Sequence, residues 1–233
     1  MAHRRVAMSN ATAGGAATEP CPDCPRCPRL VDYRVRNRQA EPDWHNAPVS
    51  SFGAADARLL IVGLAPGVRG ANRTGRPFTG DYAGDLLYAT LIETGLASGS
   101  YRADPADGLT LVDTRITNAV RCVPPQNKPT PAEIATCRGY LAATIRAMPR
   151  LRAILVLGRI AHESTLAALG QRRADFPFGH GTRHDLPEAS LNGTQGKLRL
   201  HCSYHCSRYN TQTRRLTPEM FKAVVQQARD DLD

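Results

Sequence analysis

The chain has no run of apolar residues long enough to cross a bilayer, which excludes a helical membrane anchor inside it. Its first twenty residues carry Arg4 and Arg5 but no apolar stretch behind them, so a secretory leader is not expected. Rich in Ala, Gly, Ser and Thr, residues 1–20 read as a disordered tail, and residues 21–233 as one domain. No segment repeats. A Walker-type glycine-rich loop ending in lysine is also missing, which ranks a nucleotide-phosphate enzyme last. The seven cysteines are an odd number without an export signal, which argues against a disulfide framework and for a reducing, cytoplasmic setting. What the chain does have is positive charge. A net charge of +9 and a pI near 9.5 favour a polyanionic partner, nucleic acid ahead of a membrane surface.

Strand candidates are 58–64, 109–120, 153–158 and 197–203, each followed by a loop and then a helical pattern. Asp81 to Gly95 carries apolar residues at Leu86, Leu87 and Leu91. Thr130-Pro131-Ala132-Glu133 is an N-cap, a proline at the first helical position and an early acid. The helix behind it sets Ile134, Cys137, Leu141, Ile145 and Met148 on one stripe. A third helix runs over 159–169. Thr217-Pro218-Glu219 starts a last one, to about Asp230. The stretch 176–196, rich in Gly and His, reads as a long surface loop. Strands alternating with helices predict an α/β fold around a mainly parallel four-stranded sheet, which binds ligands at the carboxyl ends of its strands. The loops after Gly63, at Pro124-Pro125-Gln126-Asn127, and after His201 all leave strand ends and should meet on one rim.

The first of these loops, from Gly63 to Asp81, combines glycines, prolines and arginines with one aromatic, Phe78, and one carboxylate, Asp81. Glycines let backbone N–H groups approach a ligand, arginines suit phosphates and Phe78 offers a stacking face. The loop reads as a pocket for a planar, phosphate-linked ligand. Cys24 and Cys27 form a C-x2-C pair, and fourteen residues separate Cys122 from Cys137. Two close thiolates and two distant ones can clamp zinc or a [4Fe–4S] cluster. Cys21 competes with Cys27 as the mate of Cys24. A further zinc site from His201, Cys202, His205 and Cys206 would be crowded in so short a loop.

Four motifs in order, covering about Cys24 to Phe221, resemble the type-5 uracil-DNA glycosylases of the uracil-DNA glycosylase superfamily. They are Cys24-Pro25-Arg26-Cys27-Pro28-Arg29-Leu30, Gly63-Leu64-Ala65-Pro66-Gly67 on to Phe78-Thr79-Gly80-Asp81, the run from Asn118 through Cys122 to Pro129, and the run from Ser203 through His205 to Leu216. The resemblance implies a three-layer α/β/α sandwich, a [4Fe–4S] cluster on Cys24, Cys27, Cys122 and Cys137, and excision of uracil and other deaminated bases from DNA. Cys21 is then spare.

The resemblance also implies roles. An extruded base would stack on Phe78. His205 would donate to the departing base oxygen, and the backbone of Gly63, Ala65 and Gly67 would line the base pocket. Asn118 aligns with the asparagine that reads the uracil edge in type-4 relatives. Sister families orient the attacking water with a polar or acidic residue at the position of Ala65, which cannot do so. Type-5 enzymes share this departure, which leaves Asp81 to polarise the water, with Asn127 beside it. Asp81 also reads as the N-cap of the following helix. Arg69, Arg73, Arg76, Arg208, Arg214 and Arg215 are candidate DNA-phosphate contacts. No lysine lies in the first or last motif, which favours water over a Schiff base. The expected protein is a monomeric, monofunctional glycosylase working on nucleoid DNA. The alternative is a non-catalytic nucleic-acid-binding module stapled by an iron–sulfur or zinc site, which needs neither Asp81 nor His205.

Overall fold

The structure is a computed structural model and describes residues 17–187 and 197–233. In chain order the strands are β1 (Leu59–Gly63), β2 (Ala97–Ser98), β3 (Thr110–Leu111), β4 (Thr114–Asn118), β5 (Ala153–Leu157), β6 (Arg183–Leu186) and β7 (Leu198–Ser203). The helices are α1 (Pro28–Ala40), α2 (Ala71–Thr74), α3 (Tyr82–Glu93), α4 (Pro131–Arg146), α5 (Arg159–Ala168), α6 (Arg208–Gln212) and α7 (Pro218–Asp230).

The main sheet has the order β4-β1-β5-β7-β6, parallel except for β6, which pairs antiparallel with β7 at one edge. It therefore has five strands where four were expected. The extra one lies inside the expected loop 176–196, whose residues 188–196 fall outside those described. β6 carries Arg183, His184 and Asp185 and buries only Leu186, so it has the polar composition of an edge strand and no apolar alternation to announce it. The expected strand 109–120 is cut in two at Asp113, whose φ of +48° breaks the extended backbone and whose carboxylate takes the Arg58 guanidinium.

Alternate residues of the strands point to opposite faces and build two cores. Leu59, Ile61, Ile116, Leu155 and Leu157 pack against α3 and α7 through Leu87, Leu91, Phe221 and Val225. Leu60, Val62, Ile154, Val156 and Leu200 pack against α4 and α5 through Leu141, Ile145 and Leu166. Each such side chain, once buried, contributes about 1.5–3 kcal/mol. Helices thus cover both faces, and a parallel sheet needs both covered.

The helix starts follow their signals. Thr130 and Glu133 close a capping box on α4, Thr217 caps α7 through the Met220 N–H, and Asp81 caps α3 through the Gly84 N–H. α1 had no apolar stripe to reveal it. It buries Leu30 and, unusually, Arg34. Of the expected tail, residues 1–16 lie outside those described, whereas Thr18 and Glu19 contact the domain. The Thr18 carbonyl accepts from Thr144 Oγ1, and Glu19 pairs with Arg121 at 2.8 Å and Arg115 at 3.5 Å. No helix among the described residues is long and apolar enough to cross a membrane.

Candidate active site

The three loops meet at the carboxyl end of the sheet. Gly63 stands beside Asn118 in parallel register, which sets the start of one loop against the last residue of β4. A small cavity there is lined by Ala65, Gly67, Phe78, Asp81, Asn118 and His205. It shares Ala65, Gly67, Asp81 and His205 with an open cleft of about 840 Å³, solvent included, whose outer wall holds Tyr82, Asn127 and Arg208.

Phe78 is buried and faces His205 with ring centroids 5.9 Å apart and planes inclined by 28°. Its φ is +54°, a left-handed conformation that costs an aromatic residue about 1–3 kcal/mol. The chain carries that strain at the cavity floor. Gly63 permits the arrangement: a Cβ there would fall 2.5 Å from the Phe78 ring and 2.4 Å from Asn118 Oδ1. Asn118 is 3% exposed, and its Oδ1 has no hydrogen-bond partner. A buried acceptor left unpaired costs about 1–3 kcal/mol, so this atom calls for an N–H from a ligand.

Asp81 uses its two oxygens differently. Oδ1 accepts from the Gly84 N–H at 3.1 Å. Oδ2 faces the first loop, where a Cβ on Gly70 would lie 2.5 Å from it and one on Gly67 3.1 Å. Burial raises the Asp81 carboxyl above the ordinary carboxylate value, with the Gly84 N–H pulling the other way. Burial alone pushes the His205 imidazole down to about 4, so the ring is neutral at physiological pH. Asn127 sits at the exposed tip of a 3-10 turn. It and Gln126 both have positive φ (+56° and +57°), which turns the chain back over the cleft.

The six arginines do not act as one group. Arg69, Arg73, Arg208, Arg214 and Arg215 are exposed, with Arg208 over the Tyr82 ring at 5.4 Å and Arg215 over Tyr204 at 4.5 Å. Arg76 corrects the expectation. It is 5% exposed, grips Asp107 through two bonds of 2.8 Å, donates to Thr79 Oγ1, and lies over the Phe52, Tyr88 and Tyr101 rings. It is a core residue that no phosphate can reach.

A separate cavity behind the rim is lined by Cys24, Cys27, Cys122 and Cys137 together with Leu30, Arg34, Val120 and Tyr140. Cys21 is exposed and outside it. Burial first, and then the neighbouring Cys137, push the Cys122 thiol up to about 12, so a cationic centre is what would ionise the set. Tetrahedral zinc needs sulfurs about 3.8 Å apart, given Zn–S near 2.3 Å. Four thiols around one cavity are a donor set that either zinc or an iron–sulfur cluster accepts. Elsewhere, potential ligand atoms of His162, His184 and Cys202 lie within 4.8 Å of one another. The set in the His201–Cys206 loop, already too crowded for zinc, comes apart: His201 Nε2 pairs with Asp231 at 2.9 Å and Cys206 Sγ donates to the Ala83 carbonyl.

Sequence reasoning missed Tyr82 in the cleft wall, Arg34, whose Nη1 is 3.9 Å from Cys122 Sγ, and Tyr140, whose hydroxyl is 3.8 Å from Cys24 Sγ. Arg34 follows Cys27 by seven residues, two helical turns, a spacing that only a recognised α1 would have made informative.

The chain is thus a mainly parallel α/β protein with a cavity at its strand ends, lined by Phe78, Asp81, Asn118 and His205. Residues 50–229 match the family model of the uracil DNA glycosylase superfamily. The chain is 46% identical over 209 residues to a type-5 uracil-DNA glycosylase of Thermus thermophilus, covering 90% of this chain and 91% of that one. It is 43% identical over 210 residues to one of Mycobacterium tuberculosis (86% and 75%) and 36% identical over 208 residues to one of Pyrobaculum aerophilum (87% and 86%). The chain belongs to the uracil-DNA glycosylase superfamily and, within it, to the type-5 uracil-DNA glycosylases.

Proposed function

We propose that this protein excises uracil and related deaminated bases from DNA by hydrolysing the N-glycosidic bond with water. The unpartnered Asn118 Oδ1 carries this reading. Deamination of cytosine or adenine replaces a ring acceptor with a ring N–H, and an amide oxygen fixed in a buried site accepts from that N–H. The Asn118 Nδ2 group donates to the carbonyl oxygen that deamination leaves beside it.

The base must leave the duplex to reach this site, and Phe78 gives it a stacking surface when it does. As the glycosidic bond breaks, negative charge grows on the base and positive charge on the sugar. Neutral His205 donates an N–H to the base oxygen, and preorganised donors of this kind are worth about 10²–10³ in rate. Asp81 Oδ2 accepts a proton of the attacking water and faces the sugar cation. Asn127 helps hold that water, and backbone at Gly63, Ala65 and Gly67 shapes the pocket. Ala65 leaves the water to Asp81. Among the described residues that line the cleft none is a lysine, which favours water over a Schiff base. Arg69, Arg73, Arg208, Arg214 and Arg215 contact phosphates.

Cys24, Cys27, Cys122 and Cys137 hold a [4Fe–4S] cluster. When bound it ties the segment ahead of α1 to α4 and does no chemistry on the base. The protein works as a monomer on cytoplasmic DNA. The test is a uracil-containing oligonucleotide treated with alkali after incubation, with iron and sulfide measured on the same anaerobic preparation. Cleavage at uracil by wild type, lost in Asp81→Asn, is the expected result. An intact oligonucleotide with a fully loaded protein refutes the reading.

A further inference from the structure

We propose that His162, His184 and Cys202 form a second metal site, suited to a borderline-soft divalent ion, zinc foremost, and separate from both the cleft and the four-cysteine cavity. One imidazole comes from α5, one from the edge strand β6 and the thiol from β7, and their ligand atoms all lie within 4.8 Å of one another. Zinc held by two nitrogens and a sulfur brings such atoms to about 3.3–3.6 Å, so shifts of about an ångström close the site.

His162 gives an independent reason. It is 2% exposed, and beyond a backbone contact at Phe176 its ring nitrogens have no hydrogen-bond partner. A buried imidazole can donate through one nitrogen only, and this ring lies beside a thiol and a second imidazole that a metal would unite with its other nitrogen. His184 is set up as a ligand by its other nitrogen. Nε2 lies 3.0 Å from the Pro177 carbonyl, so the proton belongs on Nε2 and the Nδ1 lone pair is free. A histidine ligand whose second nitrogen donates to a backbone carbonyl is the usual support in metal sites. Cys202 is fully buried, and the Phe178 and Phe176 rings pack against His162 and His184. Imidazole and thiolate together in a dry shell select zinc over magnesium or calcium, which prefer oxygen. On binding, the Cys202 S–H proton passes to solvent. Three protein ligands leave a fourth position for water.

The site lies at the root of the loop that carries His205, three residues beyond Cys202 on the chain. A bound ion would tie α5 to the antiparallel edge strand β6 and its neighbour β7 at one point, beside the four residue pairs of the β6–β7 ladder.

The test uses the full-length protein with its iron site loaded. After incubation with zinc and removal of free metal, zinc and iron are counted together. Cobalt(II) then serves as a probe, read as the visible ligand-field bands of a tetrahedral thiolate complex against the iron chromophore. One zinc per chain with iron unchanged is expected, together with a zinc-induced rise in Tm. Both should be lost in His184→Ala, which removes the least buried ligand, while Cys202→Ser keeps the fold and loses the cobalt–thiolate band. Absence of zinc and cobalt binding in wild type overturns the proposal. So does zinc uptake that displaces iron, or uptake that His184→Ala leaves intact.

Discussion

Gly63 and Asn118 stand side by side in register, so close that a Cβ on the glycine would lie 2.4 Å from the amide oxygen. The same Cβ would meet the Phe78 ring at 2.5 Å. One missing methyl group therefore sets two of the surfaces that would hold a base. Gly63→Ala is expected to push both aside and lower kcat/KM for uracil excision by about 100-fold, the usual effect of misplacing a binding group by an ångström. Overpacking adds about 1–3 kcal/mol of destabilisation. Single-turnover kinetics and a melting curve on the same preparation check the two effects.

Asp81 serves the helix with one oxygen and the cleft with the other, and the two roles separate by mutation. Asparagine caps a helix as well as aspartate, so Asp81→Asn should leave stability nearly unchanged while excision falls by about 10²–10⁴-fold. Asp81→Ala should lose the same activity and a further ~1 kcal/mol with the cap. Burial raises the Asp81 carboxyl, so wild-type kcat/KM should fall on acidification with a limb above the ordinary aspartate value. The limb belongs to the ionised form and should vanish in the asparagine variant. A limb that persists there assigns it to another group.

The fold was legible wherever local chemistry and burial agreed. β1, β5 and β7 are apolar runs and α4 an apolar stripe behind a capping box, and the structure sets them within a residue or two of the expected bounds. The convergence of the loops at Gly63, Asn127 and His205 followed from the rule for parallel sheets. Elements whose stability comes from elsewhere left no trace. α1 buries little beyond Leu30 and Arg34 and borders the cysteine cavity. β6 is a polar edge. Arg76 looked like its exposed neighbours because its partner Asp107 is thirty-one residues away, beyond any local pattern.

His205 titrates far from its usual range. Burial takes the imidazole down to about 4, so it is a neutral donor throughout the physiological window. The pH profile of kcat/KM should show no histidine limb between about pH 5.5 and 7.5, where an ordinary imidazole changes charge. His205→Ala should cost about 10²–10³-fold in excision with little change in affinity for uracil-free duplex, because the donor acts on charge that develops only as the bond breaks. An inflection near 6.5 in wild type that disappears in His205→Ala would show instead that the imidazolium is the working form.

Arg76 and Arg208 should fail in opposite ways. Arg76 is buried against Asp107, whose carboxyl the guanidinium holds well below the usual range. Removing one partner leaves an uncompensated buried charge, so Arg76→Ala is expected to cost about 3–5 kcal/mol of stability. The folded carboxyl titrates below its unfolded value, so the pair's contribution is complete above about pH 4 and is lost as pH falls further. Arg208 is exposed at the cleft mouth, over Tyr82. Arg208→Ala should leave Tm within about 1 °C, since surface changes of this kind are nearly neutral. It should also flatten the slope of log K against log salt for duplex DNA by about one phosphate contact. Melting curves and salt titrations of both variants decide the assignment: an Arg76→Ala protein that melts normally but loses salt dependence returns Arg76 to the DNA-facing surface.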